Sequence, residues 1–365
     1  MNNKEKFSLK AWDPPLIGWI LLFTTFLFGA FNVVGETNPN ISFNFVNIFL
    51  LQNDTELIIK LLNYCIKIFF LLLPILVITI IELSILKDDG LFSLRLTSLG
   101  KFSQSKDKNK YSDIFYYIFS FLIKRFTFLV AFLTLGLSYM NSNIESWFNS
   151  LYNNIIPIPT TNLSSAIVMI IAILLSSLSG YIRHYLSHKV DFIWDLHEFH
   201  HSATEMNIFC KDRNIPIESA IQAPFIIPVS VLSGLLMKEY MTQGFMLPTY
   251  IYIFYLTMED IGAYGGHCSF PIIYPKPFSY IFMSPACHLL HHSVLEKHYD
   301  CNLGNSLTIW DKVFGTYLDE SHLSELEGFG VKDSKYNKNY PLFAMFALPK
   351  IKLLKRLFPN FRYKF

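Results

Sequence analysis

Eleven histidines occur in this chain of 365 residues, and none precedes His184. Eight of them form three tight groups: His184-Tyr-Leu-Ser-His188, His197-Glu-Phe-His200-His201 and His288-Leu-Leu-His291-His292. On a helix, residues three or four apart share one face. Each group can therefore aim two or three imidazoles at one point. His267 and His298 stand singly and extend the set of candidate ligands, whereas His322 lies in a polar stretch and reads as a surface residue. A structural zinc takes four ligands and a catalytic zinc three plus water, so this inventory exceeds the need of a single ion. Two metals with about four or five nitrogens each would use it. Imidazole suits zinc, copper, iron and nickel. Iron is favoured because its redox chemistry gives a reason to gather so many imidazoles beside a bilayer. Neutral nitrogen ligands leave the cluster cationic, which favours an oxidising, O2-activating centre.

Two rival chemistries fit part of the pattern. The run His197-Glu198-Phe-His-His201 satisfies HExxH, in which Glu198 would be the general base of a membrane zinc metallopeptidase. That reading leaves His200 and the second HxxHH triplet without a role. A histidine-lined metal or proton transporter would place ionisable residues inside its membrane spans, but here they gather at span ends. A bis-histidine haem protein would leave most of the histidines idle.

The elements that must position these residues are apolar helices. The chain is 52% hydrophobic and 16% charged, against about 25% charged residues in soluble domains. A membrane-embedded chain follows, and its Phe and Tyr content suits lipid-facing and interfacial surfaces. The expected fold is an all-α, polytopic membrane helical bundle with a cytoplasmic-facing, histidine-rich metal site. Candidate spans of about 20 apolar residues fall at 16–34, 68–86, 114–140, 165–187, 219–237 and 241–258. The third begins in earnest after Arg125, and the last two form either a full or a re-entrant hairpin. No secretory leader is expected apart from the first span. The loop 87–113 holds Lys87, Arg95, Lys101, Lys106, Lys108 and Lys110, whereas 141–164 has no Lys or Arg. The positive-inside rule then puts 87–113 and the end of the fourth span in the cytoplasm. The membrane would be a bacterial inner membrane or endoplasmic reticulum. Three Asn-x-Ser/Thr sequons, at Asn40, Asn53 and Asn162, fall in the loops assigned outside. The formal net charge of +2 gives no ground for a nucleic-acid partner. Five scattered cysteines without a CxxC pair argue against a disulfide scaffold. The segments read as an N-terminal transmembrane region (1–160), a catalytic domain (161–320) and a basic amphipathic C-terminal tail (321–365). From Lys350 onward, the tail mixes basic and apolar residues in a way that suits a cytoplasmic membrane face.

Between Ser177 and Tyr317 the chain resembles the fatty acid hydroxylase and sterol desaturase superfamily. Beyond the histidine boxes, the likeness rests on Ser202, Glu205-Met206-Asn207, Arg213 with Pro216 and Glu218, Asp300-Cys-Asn302-Leu-Gly304, and Trp310-Asp311-Lys-Val-Phe314-Gly315-Thr316-Tyr317. The resemblance implies iron ligands at His184, His188, His197, His200, His201, His288, His291 and His292, with His267 as a ninth and His298 as an extra one. Three departures stand out: Ile215 replaces a histidine, Leu303 an aromatic residue, and Ser177 an acidic one. The resemblance further implies a di-iron monooxygenase that uses O2 to hydroxylate or desaturate a fatty acyl, sterol or related lipid. No His-Pro-Gly-Gly motif of a fused haem domain occurs. A separate electron donor, a cytochrome or ferredoxin with its reductase, is therefore expected. Asp195, Glu198, Glu218, Asp260 and Asp311 are candidate acceptors that would orient imidazoles. Arg213 and Asn207 are candidates for positioning them or a lipid headgroup.

Overall fold

The computed structural model describes residues 161–242, 246–336 and 342–358, together with 109–125, Ser150 and parts of 72–106. Residues 75–83 are helical and fall within the expected span 68–86. The α-helices that follow are α1 (Ser98–Gln104), α2 (Asn109–Arg125), α3 (Asn162–Lys189), α4 (Asp191–His201), α5 (Pro216–Thr242), α6 (Met246–Gly265), α7 (Phe278–Ile281), α8 (Pro285–His291), α9 (Ile309–Phe314) and α10 (Leu348–Leu357). A hairpin of two-residue strands, Lys87–Asp88 and Leu91–Phe92, is the sole sheet among the described residues. The all-α expectation therefore holds there apart from this hairpin.

Only α3, among the described residues, is both long and apolar enough to cross a membrane. It contains the expected span 165–187. The spans expected at 219–237 and 241–258 fall on α5 and α6; α5 is interrupted by Pro224 and Pro228. Span 16–34 and the latter part of 114–140 lie outside the described residues.

The chain divides into two compact units. One, here the long-helix unit, comprises Tyr111–His200, Asp212–Tyr252 and Lys335–Phe365. The other, the loop-rich unit, comprises Met1–Lys110, His201–Lys211 and Ile253–Ser334.

In the long-helix unit α3 starts at a capping box. The Thr161 hydroxyl accepts from the Ser164 backbone N–H while Ser164 returns a bond to the Thr161 N–H, satisfying two orphan donors of the first turn. An apolar run then sustains α3 for 28 residues. Extended backbone at Val190 ends α3, and α4 begins at Asp191, an acid at the positive end of the new helix dipole. Small polar groups join α3 to α5: Ser179 and Ser230 lie 2.6 Å apart, and Ser233 donates to the Ala172 carbonyl at 2.8 Å. Leu196 and Phe199 of α4 pack with Tyr116, Ile215, Tyr336, Met345 and Leu348. Phe199 meets Tyr116 edge-on at 4.7 Å between ring centres. Burying such an aromatic ring contributes about 1.5–3 kcal/mol. Ile215, which stands where the resembled family has a histidine, is part of this core.

The loop-rich unit is held by side chains that satisfy backbone groups. Asp311, on α9, accepts from the N–H groups of Leu303 at 2.7 Å and Gly304 at 2.8 Å, and from the Thr316 hydroxyl at 2.7 Å. Asn302, at a left-handed φ of 51°, donates to the carbonyls of Cys287 and Leu318 and accepts from Leu318 N–H. Asparagine tolerates that conformation better than most residues. The motifs Asn302-Leu-Gly304 and Trp310-to-Thr316 thus form one hydrogen-bonded scaffold behind the third histidine box.

Candidate metal centre

Each unit gathers its own set of imidazoles. In the long-helix unit, His184, His188 and His197 each bring one ring nitrogen, all within 4.8 Å of one another. The ring centres of these three lie 5.0–5.1 Å apart. His184 and His188 are one turn apart on α3, and His197 comes from α4 just beyond the break at Val190. His200 lies 5.2 Å, ring to ring, from His197.

His197 is oriented by Glu218, which sits in the first turn of α5. The Nδ1 of His197 donates to Glu218 Oε1 at 2.9 Å. The same oxygen accepts from the Ser187 hydroxyl at 2.9 Å and from Gln222 Nε2 at 3.1 Å. Gln222 also donates to Ser187 Oγ at 2.6 Å. Burial alone would raise the pKa of this carboxyl. The charge and hydrogen bond of His197, the Ser187 hydroxyl and the charge of Arg183 together outweigh burial and hold it below the ordinary glutamate value. A carboxylate bound to Nδ1–H fixes the tautomer and makes Nε2 the more basic donor. That Nε2 is buried and makes no hydrogen bond.

In the loop-rich unit, His267, His288 and His292 likewise bring ring nitrogens within 4.8 Å of one another. Their Nε2 atoms converge: His288 lies 3.4 Å from His267 and 3.1 Å from His292. His267 donates from Nδ1 to the Ala263 carbonyl at 2.7 Å, which turns its Nε2 lone pair toward His288. His291 donates from Nδ1 to the Cys301 carbonyl at 2.7 Å. His201 stacks on His292 at 4.4 Å and meets His291 edge-on at 4.6 Å, ring to ring. His267, His291 and His292 are at most 3% exposed.

A metal fits both sets. Nitrogens bound to one ion at about 2.0–2.1 Å lie at most about 4.2 Å apart, close to the spacing in each triad. Buried imidazoles drawn into such proximity would otherwise have to turn lone pairs toward one another. Each triad also has a ring pinned through Nδ1, the usual support of a metal-binding histidine.

The remaining candidates are placed as follows. His298 is buried, with Nδ1 at 3.0 Å from the Ser293 hydroxyl and Nε2 at 3.0 Å from Glu325 Oε2; it belongs to neither triad. His322 is partly exposed beside Asp319. Glu198 pairs with Lys352 of α10, and Asp195 with Arg356 at 2.9 Å. Asp311 serves the backbone of the Leu303–Gly304 turn, and Asp260 is exposed. Of the five candidate carboxylates, Glu218 is bonded to a box imidazole. Arg213 forms a buried pair with Asp113, 2.6 Å from both Nε and Nη2. Asn207 caps its own turn by accepting from Phe209 N–H at 3.1 Å.

Sequence reasoning did not find four supports: Ser187 and Gln222, which hold Glu218, the Ala263 carbonyl, which orients His267, and the Cys301 carbonyl, which orients His291. Ser187 precedes a box histidine, and Gln222 lies one turn after Glu218, so spacing carried a faint signal for both. A backbone carbonyl leaves no trace in side-chain identity. Burial pushes the Cys301 thiol up to about 12, with Asp311 nearby adding to the effect, so it stays protonated.

Residues 169–316 match the fatty acid hydroxylase family. Over this segment the chain is similar to the fatty acid hydroxylase superfamily. The chain is similar to the alkylglycerol monooxygenase of Caenorhabditis elegans, 27% identical over 45% of this chain and 30% of that protein. It is 26% identical to the ornithine lipid hydroxylase of Rhizobium tropici over 42% of each chain. It is also 26% identical to human alkylglycerol monooxygenase, over 38% of this chain and 28% of that one. The chain thus spans less than half the length of these relatives. No solved structure matches it.

Proposed function

We propose that the chain is a membrane-bound, O2-dependent lipid monooxygenase that carries two irons on its buried histidines. The observation that carries this reading is the pair of imidazole triads, each with a ring pinned through Nδ1. His184, His188 and His197 would form the nucleus of one iron site, and His267, His288 and His292 that of the other. His200, His201 and His291 would supply further ligands. Bound iron would supply reductive O2 activation and removal of hydrogen from an unactivated C–H bond. The overall balance is one O2, two electrons and two protons for each hydroxyl inserted and water released. The electrons would come from a separate cytochrome or ferredoxin with its reductase.

The chain's own residues would do the rest. Glu218, the Ala263 carbonyl and the Cys301 carbonyl hold Nδ1–H groups and so keep Nε2 as the ligating atom. Burial of His184, His197, His267 and His292, with His188 and His288 partly buried, limits the access of water to the reacting centre. The apolar flank of α3, with Ile167, Ile170 and Ile171 exposed, suits contact with lipid chains. The names of the relatives make an alkylglycerol ether lipid the first substrate to try and an ornithine lipid the second. Both are amphiphiles whose apolar chain would meet the site from the bilayer. The peptidase reading is disfavoured because the required base, Glu198, is paired with Lys352.

The test is elemental analysis of detergent-purified protein, alongside His197→Ala and His291→Ala, followed by reduction in the presence of O2 and each lipid. About two irons per chain, lowered in both variants, with a hydroxylated or unsaturated product, is the expected result. One zinc per chain that is lost in the first variant and retained in the second would sink the proposal.

A further inference from the structure

The helix α10 carries a two-sided pattern that the metal sites do not use. Its inner side is clamped to α4. Arg356 donates from Nε to Asp195 at 2.9 Å and from Nη1 to Asp191 at 3.0 Å. One turn earlier, Lys352 pairs with Glu198 and lies 4.8 Å from the centre of the Tyr336 ring. Leu348 and Ile351 are buried beneath it. The outer side is different. Leu353 is 42% exposed, Leu354 37%, Leu357 62% and the adjoining Phe358 60%. Lys350, Leu353, Leu354 and Leu357 follow the i, i+3, i+4, i+7 spacing of a single stripe. Lys350 and Lys355 are exposed alongside these apolar residues. No acidic residue occurs anywhere in 342–358.

We propose that this outer face docks on the surface of an anionic bilayer, with α10 lying in the headgroup plane and its inner cations bracing α4. The occupant follows from the chemistry of the face. A stripe of Leu and Phe flanked only by cations buries its apolar part at the headgroup boundary and attracts negative headgroups. A protein groove of ordinary composition would present acids as well as apolar groups and would call for neutralising charges on the stripe, which has none. The inner cations face three carboxylates of α4, whereas Lys350 and Lys355 are exposed on the outer side and are the charges placed to meet the lipid. The inference does not depend on which metal the histidines bind.

The experiment uses the full chain in nanodiscs. An environment-sensitive fluorophore is placed at Leu357→Cys, and independently at Phe358→Cys, with the labelled parent chain as background. In discs of phosphatidylcholine and phosphatidylglycerol the emission should shift to the blue relative to pure phosphatidylcholine, and 0.5 M salt should reverse the shift. Adding Lys350→Gln with Lys355→Gln should lower the docked-to-undocked ratio about 25-fold, at roughly fivefold per basic residue. Both lysines are surface residues, so the fold should survive; unchanged melting of the variant checks this. Emission that stays water-like in both lipids would overturn the proposal. A blue shift that is equal in both lipids and indifferent to salt and to the lysine changes would overturn it too, pointing to a protein partner or a second copy.

Discussion

Replacing Glu218 by glutamine tests how the first imidazole triad is held. The carboxylate accepts from His197 at 2.9 Å, Ser187 at 2.9 Å and Gln222 at 3.1 Å. A hydrogen bond to a charged group contributes about 1.5–3 kcal/mol, and a neutral one about 0.5–1.5. Glutamine keeps the shape and an acceptor oxygen but loses the charge, so the bond to His197 should weaken by about 1–1.5 kcal/mol. That corresponds to about five- to tenfold weaker metal binding. Glu218→Ala removes the acceptor of the buried His197 Nδ1–H altogether, whereas Ser187 and Gln222 keep the Arg183 carbonyl and each other as partners. The loss of such a supporting group costs about 10–100-fold in metal affinity, with an added stability cost of about 1–3 kcal/mol. The assay is chelator competition for Fe2+ or Zn2+ on detergent-purified protein, with thermal melting of the apo and loaded forms. The expected order of affinity is parent, then glutamine, then alanine. If both variants bound metal within twofold of the parent while His197→Ala did not, Glu218 would be structural and the orienting argument would be wrong.

His267→Ala and His288→Ala should each lower metal content, whereas His298→Ala should leave it unchanged, because both nitrogens of His298 already serve Ser293 and Glu325; elemental analysis of the three variants decides. A Cβ at Gly266 would lie 2.8 Å from both the Gly262 carbonyl oxygen and His288 Cβ. Gly266→Ala should therefore displace His288 and weaken metal binding by tenfold or more, as read by chelator competition. Gly315 has φ +75° with nothing within 4 Å of an added Cβ. Gly315→Ala should accordingly cost about 1 kcal/mol in backbone strain, seen as a lower melting temperature with metal content intact.

The histidine boxes were legible because helical periodicity maps spacing onto direction: His184 and His188 needed only one turn of α3 to converge. His267, a single histidine, had no such signature; it stood only as an added candidate, which the family likeness supported as a ninth ligand. The helices of the long-helix unit were legible from their apolar runs, while the breaks at Val190 and Pro216 that turn one helix toward the next were not assigned. The supporting contacts were the least legible. Five carboxylates were chemically equivalent on paper, and tertiary pairing separated them: Glu218 met His197, whereas Glu198, beside the same histidine in sequence, met Lys352 more than 150 residues away. The tail's basic residues were read as membrane-facing, and the fold divides them between α4 and the outer stripe. Ile215 was legible in the negative sense, since an isoleucine before the proline cannot bind metal, and its place in the Phe199 core gives the reason it is apolar.

The discontinuity of the long-helix unit has a consequence for biosynthesis. Its pieces are Tyr111–His200, Asp212–Tyr252 and Lys335–Phe365, so a ribosome that has made every histidine of both triads has still not made the segment that completes the core around Phe199. Tyr336, Met345 and Leu348 arrive later, and so do the cations that neutralise Asp191, Asp195 and Glu198. A nascent chain stalled after residue 300 would therefore carry all the imidazoles of the two triads on an unfinished support. Stable metal loading should thus follow translation of the tail rather than accompany emergence of the ligands, and the timing of metal capture becomes a property of chain order as much as of affinity.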